Sequence, residues 1–235
     1  MINYIKENKM NINHYTKIFI KNIMLGAGNV HLSLANHDHV LLAVEKAYIA
    51  MQPRTFEKLI SNAKINIAAK KAVLKDLANK FVDYFKAPAP TTQADFDKWH
   101  KDTCDWFLDE FNKKVMRPSG YKDISYGKAQ KIVNVTFKFL YLYCDIVPGT
   151  PGHFTFCHFI IDRYTLIWYK DVVCKKLGTT PPKKPWRDMD YPEYIEIQYN
   201  TRKYLGMQEE YSQNPFLAEF EIWSEYAFEK NYNPV

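Results

Sequence analysis

The stretch that most constrains this chain is an apolar helix with a narrow polar stripe, encoded by YGKAQKIVNVTFKFLYLYC from Tyr126 onwards. Ile132, Val133, Val135, Phe137, Phe139, Leu140, Tyr141, Leu142 and Tyr143 point in every direction at 3.6 residues per turn, and a helix apolar all round belongs in a core. Lys131, Asn134 and Lys138 interrupt it at i, i+3 and i+7, so they share one line two turns long, with Gly127 a turn further back. Such a stripe must face water, a cleft or a partner. Two readings fit: the exposed edge of a mostly buried helix, or the floor of a pocket in which partial desolvation makes Lys131 a usable amine nucleophile.

A Pro/Gly loop separates this helix from FIID, and the aspartate opens a second helix, RYTLIWYKDVVCKKLG. Asp162 follows Phe159-Ile160-Ile161 and precedes a helical pattern, the place where an N-cap carboxylate accepts the free amides of the first turn. Gly178 after Lys175 and Lys176 is the matching stop. Asp162 is then a cap, and a carboxylate held at a helix N-terminus also keeps a fixed aim suited to stabilising a developing cation.

The pair QKIVNVTFKFLYLY and FIIDRYTLIWY resembles the core of the helix-hairpin-helix DNA glycosylases, most closely the archaeal-type 8-oxoguanine DNA glycosylases, over roughly 50 residues. The segment before the lysine, Arg117 to Gly127, has two glycines and a turn but not the spacing of the family's hairpin. The resemblance implies an all-α, multi-helix glycosylase-like fold. It also implies base excision repair: removal of an oxidised purine such as 8-oxoguanine from double-stranded DNA, with AP lyase activity through a Schiff base. Lys131 matches the nucleophile and Asp162, 31 residues on, the aspartate that orients it and stabilises the cationic sugar. Lys128, Gln130 and Arg163 would serve phosphates or the base, beside Asn134 and Lys138 of the stripe. That chemistry needs no metal or other cofactor. The competing reading is a non-catalytic all-helical nucleic-acid- or protein-binding module.

The rest of the chain supports a helical protein. At 235 residues it can bury a sizeable core, and a formal charge of +6 permits nucleic-acid binding without demanding it. Cys104, Cys144, Cys157 and Cys174 form no CxxC pair, so reduced thiols and a cytoplasmic setting are expected. Lys6, Lys9, Lys17 and Lys21 interrupt any secretory segment, and no apolar run is long enough to span a bilayer. Cys144, His153, Cys157 and His158 match no ordinary zinc spacing, and a Cys157 nucleophile lacks an identifiable base. His31, His37 and His39 read as surface or capping residues.

Residues 11 to 24 predict a short helix, Asp38 a cap for a helix through Tyr48, and Thr55 to Phe85 one bent helix or two, rich in lysine. Lys86-Ala-Pro-Ala-Pro-Thr-Thr-Gln is the best linker, dividing residues 1–86, an N-terminal helical layer, from a core of 95–235, unless 1–235 is a single domain. Asp95 is expected to start a helix whose apolar face is Phe96, Trp99, Trp106, Phe107 and Phe111. Past Gly178, TTPPKKPWRDMDYPEY is too rich in proline for a helix, and its Trp186 either pins the loop or stacks on a base. Helices follow at Glu193 to Leu205 and Pro215 to Glu229, the last with Glu219, Glu221, Glu225 and Glu229 turned away from any phosphate backbone.

Overall fold

The structure, a computed structural model, describes residues 32–50, 64–115, 123–143 and 151–229. The helix expected over 11–24, most of the hairpin segment, His31 and Cys144 lie outside those residues. Among the described residues every regular element is helical: α1 (His37–Ala50), α2 (Lys64–Lys86), α3 (Gln93–Lys114), α4 (Tyr126–Tyr143), α5 (Arg163–Trp168), α6 (Tyr191–Leu205) and α7 (Pro215–Ser224). Helix α5 runs on through a π-helical turn, Tyr169–Cys174, to Lys175–Leu177, and α7 through Glu225–Glu229. None of these helices is long and apolar enough to cross a membrane.

Local chemistry sets the helix ends, not always at the expected residue. Asn36, not Asp38, caps α1: its side-chain oxygen accepts from the amides of Asp38 at 2.9 Å and His39 at 3.2 Å. At α3 the cap is Thr92, and Asp95 is the third residue of a reciprocal capping box, returning a bond to the Thr92 amide at 3.1 Å. Asp190 caps α6, which therefore starts two residues before Glu193, at Tyr191. The expected stop at Gly178 is present, in a left-handed conformation with φ of 67° that glycine adopts without strain.

Helix α4 is the hub. It packs against α1, α3 and α6 and against a 3-10 turn, Trp186–Asp188, while α2 closes the far side through α1 and α3. Ile132, Val133, Val135, Phe137 and Leu140 are buried, whereas Phe139 and Tyr141 are partly buried and Leu142 is 42% exposed, so the last turns of the helix are not covered all round. Phe137 is ringed by Phe81, Tyr84, Phe96 and Trp99 with centroids 4.9 to 5.5 Å away, mostly edge to face, the preferred arrangement for aromatic quadrupoles. One continuous cluster runs from Leu32 to Tyr226, so the helices before the Ala-Pro stretch share their core with those after it.

Phe137→Ala should remove the centre of this cluster and cost about 3–5 kcal/mol, read as a lowered urea midpoint with an unchanged slope. A loss under about 1 kcal/mol would mean that the aromatic cluster is not what holds α4 in place.

Candidate active site

The polar stripe of α4 is not an exposed edge. Lys131 is 8% and Asn134 1% exposed, and all three stripe residues are engaged by other elements. The Lys131 ammonium lies 3.4 Å from Asp162 Oδ2 and 4.6 Å from the centre of the Trp186 ring. Two residues 31 apart in sequence therefore meet in an enclosed space, Asp162 itself being 6% exposed.

Asp162 divides its oxygens between two tasks. Oδ1 caps α5, accepting from the amides of Tyr164 at 2.9 Å and Thr165 at 3.2 Å, while Thr165 Oγ1 accepts from the Asp162 amide at 2.8 Å. Oδ2 points away from the helix and receives the Trp223 indole N–H at 3.0 Å beside Lys131. The cap fixes the carboxylate, leaving one oxygen to face the amine.

A second ion pair adjoins the first. Lys138 Nζ sits 2.5 Å from Glu219 Oε2, 4.3 Å from the Phe220 ring and 5.5 Å from the Trp223 ring. Burial pushes the Glu219 carboxyl above its ordinary range, and the Lys138 ammonium pulls it only part of the way back. Glu219 is buried, and Trp223 joins the two pairs through its N–H on one and its ring beside the other. Both residues eluded the sequence reading, although a glutamate within PFLAEFEIW is the same kind of interruption as Lys131 within α4.

Trp186 pins its loop: it is 8% exposed, and the turn is fastened to the start of α4. Ser125 Oγ donates to the Arg187 carbonyl, and the Gly127 amide donates to the Met189 carbonyl at 3.0 Å. A Cβ on Gly127 would lie 1.8 Å from the Trp186 carbonyl oxygen, so this approach requires glycine.

Gln130 and Asn134, expected to contact substrate, are committed inward. Gln130 donates to the carbonyls of Gly127 at 2.9 Å and Ile161 at 2.7 Å and accepts from Asn134 Nδ2 at 3.0 Å. Asn134 also donates to Tyr194 Oη at 3.0 Å, and its oxygen faces His100 Nε2 at 3.0 Å. Behind it, His158 Nδ1 lies 2.7 Å from Tyr194 Oη and His158 Nε2 2.6 Å from Asp97. The network assigns its own protons: His158 donates to Asp97, Tyr194 to His158, Asn134 to Tyr194 and His100 to Asn134. Each buried group has a partner, which makes this a locking network rather than a ligand site. Arg163 is exposed and Lys128 partly so. Cys157 is buried, and His153 faces the Ala87 carbonyl at 2.9 Å.

Compared with protein-family models, curated proteins and solved structures, the chain gives no match.

Burial pushes His100 well below the ordinary histidine range, reinforced by the charge of His158, and holds His158 below it despite Asp97. The unfolded chain takes up these protons near 6.5 while the folded one does not, so their contribution to stability is present above that pH and lost as pH falls below it. Glu219 acts oppositely from 4.5 upwards, but equally in wild type and in a histidine variant. Between pH 7 and 5.5 the unfolding free energy of His100→Gln should fall less steeply than that of wild type, by up to about 1.4 kcal/mol per pH unit. Parallel curves would place the proton uptake elsewhere.

Gly127→Ala should force the Trp186 turn off α4, costing about 1–3 kcal/mol and shifting tryptophan emission to longer wavelength. An unshifted spectrum would show that the turn does not depend on this approach.

Proposed function

We propose that the chain is a DNA glycosylase with AP lyase activity, removing an oxidised purine of the 8-oxoguanine type through a Schiff base on Lys131. The observation that carries this reading is the convergence of Lys131 and Asp162 to 3.4 Å in an enclosed, aromatic-walled space. A structural ion pair can be buried too, but it needs neither a carboxylate so firmly fixed by its other oxygen nor a second charged pair beside it.

The chemistry follows from the groups at hand. A damaged nucleotide turned out of the duplex, at a cost of roughly a few kcal/mol, brings its sugar to the amine, parting the cover over Lys131. With its proton passed to Asp162, the nearest base, the amine attacks C1′. The glycosidic bond breaks with its electron pair leaving on the base, which takes the proton held by Asp162 and so restores the carboxylate. Sugar-ring opening then gives the imine, and loss of a C2′ proton expels the 3′ phosphate. Asp162 Oδ2 lies where the positive charge of the sugar develops.

Lys138, Glu219 and Trp223 suit the base. An ammonium donor, a carboxyl acceptor and an indole face within one small space match a purine with both donors and acceptors on its edge and a π surface to stack. Exposed Arg163 and the exposed lysines Lys71, Lys75 and Lys86 of α2 are available for phosphates, which need charge but little placement.

Borohydride added to protein and an 8-oxoguanine duplex should trap a covalent adduct on a denaturing gel. Lys131→Gln should abolish it, and Asp162→Asn should slow its formation by about 100-fold or more, the scale of losing one stabilising group. No adduct from folded protein over a panel of oxidised bases and abasic sites would overturn the reading and leave a helical binding module with two structural ion pairs.

A further inference from the structure

Residues 157–161 form no helix or strand, Phe159, Ile160 and Ile161 are each 2% exposed or less, and no strand lies beside them among the described residues. Buried amides and carbonyls without partners would cost about 1–3 kcal/mol each. Two glutamine side chains serve them. Gln198 on α6 accepts from the Phe159 amide at 3.0 Å and donates to the Phe159 carbonyl at 2.7 Å. Gln130 on α4 does the same for Ile161, accepting from its amide at 3.5 Å and donating to its carbonyl at 2.7 Å. Each amide takes one N–H and gives one N–H, as a neighbouring strand residue does in a sheet.

The placement of the second clamp has a chemical consequence. Gln130 immediately precedes Lys131, and Ile161 immediately precedes Asp162, so this one amide ties together the backbone units that carry the amine and the carboxylate. Its orientation is fixed, because Oε1 also accepts from Asn134 and Nε2 also donates to Gly127. Reversal would set donor against donor.

We propose that Gln130 is a positioning residue that holds Lys131 and Asp162 at reacting distance, with Gln198 anchoring the same segment farther from the chemistry. This rests on the reading of Lys131 as the nucleophile. Gln130→Met keeps the volume and removes every hydrogen bond, whereas Gln130→Glu keeps the acceptor and loses the donors. Gln198→Met is the comparison, since it breaks the same kind of clamp two residues farther from Asp162.

In single-turnover assays with an 8-oxoguanine duplex, Gln130→Met and Gln130→Glu should form the trapped imine about 100-fold more slowly, the scale of an ångström's misplacement, while binding the duplex within about twofold of wild type. Gln198→Met should lower Tm comparably and slow the imine far less. Equal slowing by both, in proportion to lost Tm, or a wild-type rate in Gln130→Met, would make the clamp purely structural and overturn the proposal. If wild type forms no imine with any lesion, the glycosylase reading fails, and the clamp is judged on the ion pair itself. Asp162→Asn should then lower Tm by less in the Gln130→Met background than in wild type, and an equal loss in both would overturn the proposal.

Discussion

A segment without helix or strand buried among helices is the constraint on which the centre of this molecule depends. Helices satisfy their own backbone groups and strands satisfy one another's, but among the described residues Phe159 to Ile161 has neither kind of partner. Their apolar side chains want the interior, and their backbone can follow only if side-chain amides meet it. Gln130 and Gln198, both fully buried, do so from two helices. The cap of α5 then begins where this segment ends, at Asp162, so the direction of the carboxylate is set from both sides.

The polar residues of α4 show what a helical pattern can and cannot convey. That Lys131, Asn134 and Lys138 share a line was legible, as were the burial of Ile132 to Phe137 and of Leu140, the cap at Asp162, the stops at Gly178 and Leu205, and the Asn214-Pro215 start, though not the exposure of Leu142. Asp162 was set beside Lys131 only through the resemblance, and the other partners were not legible, because they come from three further elements: His100 on α3, Tyr194 on α6 and Glu219 on α7. Periodicity along one helix reports which face differs, not what meets it. Gln130 lay off that line and was read as free to serve a ligand, since nothing local shows that a carbonyl 31 residues away claims its amide.

The misplaced caps have a local cause. Asn36 and Asp38, or Thr92 and Asp95, are both capable cap residues two or three positions apart, and the choice turns on backbone angles. Thr92 has the extended conformation of a cap, with φ of −135° and ψ of 160°, and Asp95 contributes from inside the helix. Acidity along α7 does not tell its glutamates apart: Glu221 is exposed, whereas Glu219 turns inward to Lys138.

Two buried ion pairs so close together are hard to explain by stability alone. Removing an ammonium or a carboxylate from water costs several kcal/mol per ion, and an apolar replacement of similar size is often neutral or better. Among the described residues the shared oxygen of Asp162 has two hydrogen-bonding contacts, from Lys131 and from the indole of Trp223, and Lys138 rests against the aromatic faces of Phe220 and Trp223 beside Glu219. The Asp97–His158–Tyr194 network shows how this same chain satisfies buried polar groups when locking is the purpose: short bonds, complementary donors and acceptors, and a fixed proton order. Set against that network, the Lys131 and Lys138 sites keep charge, aromatic surface and unspent hydrogen-bonding capacity together in one place. On the proposed reading the ligand is a purine nucleotide, which would bring an edge for Lys138 and Glu219 and an electrophilic carbon for Lys131.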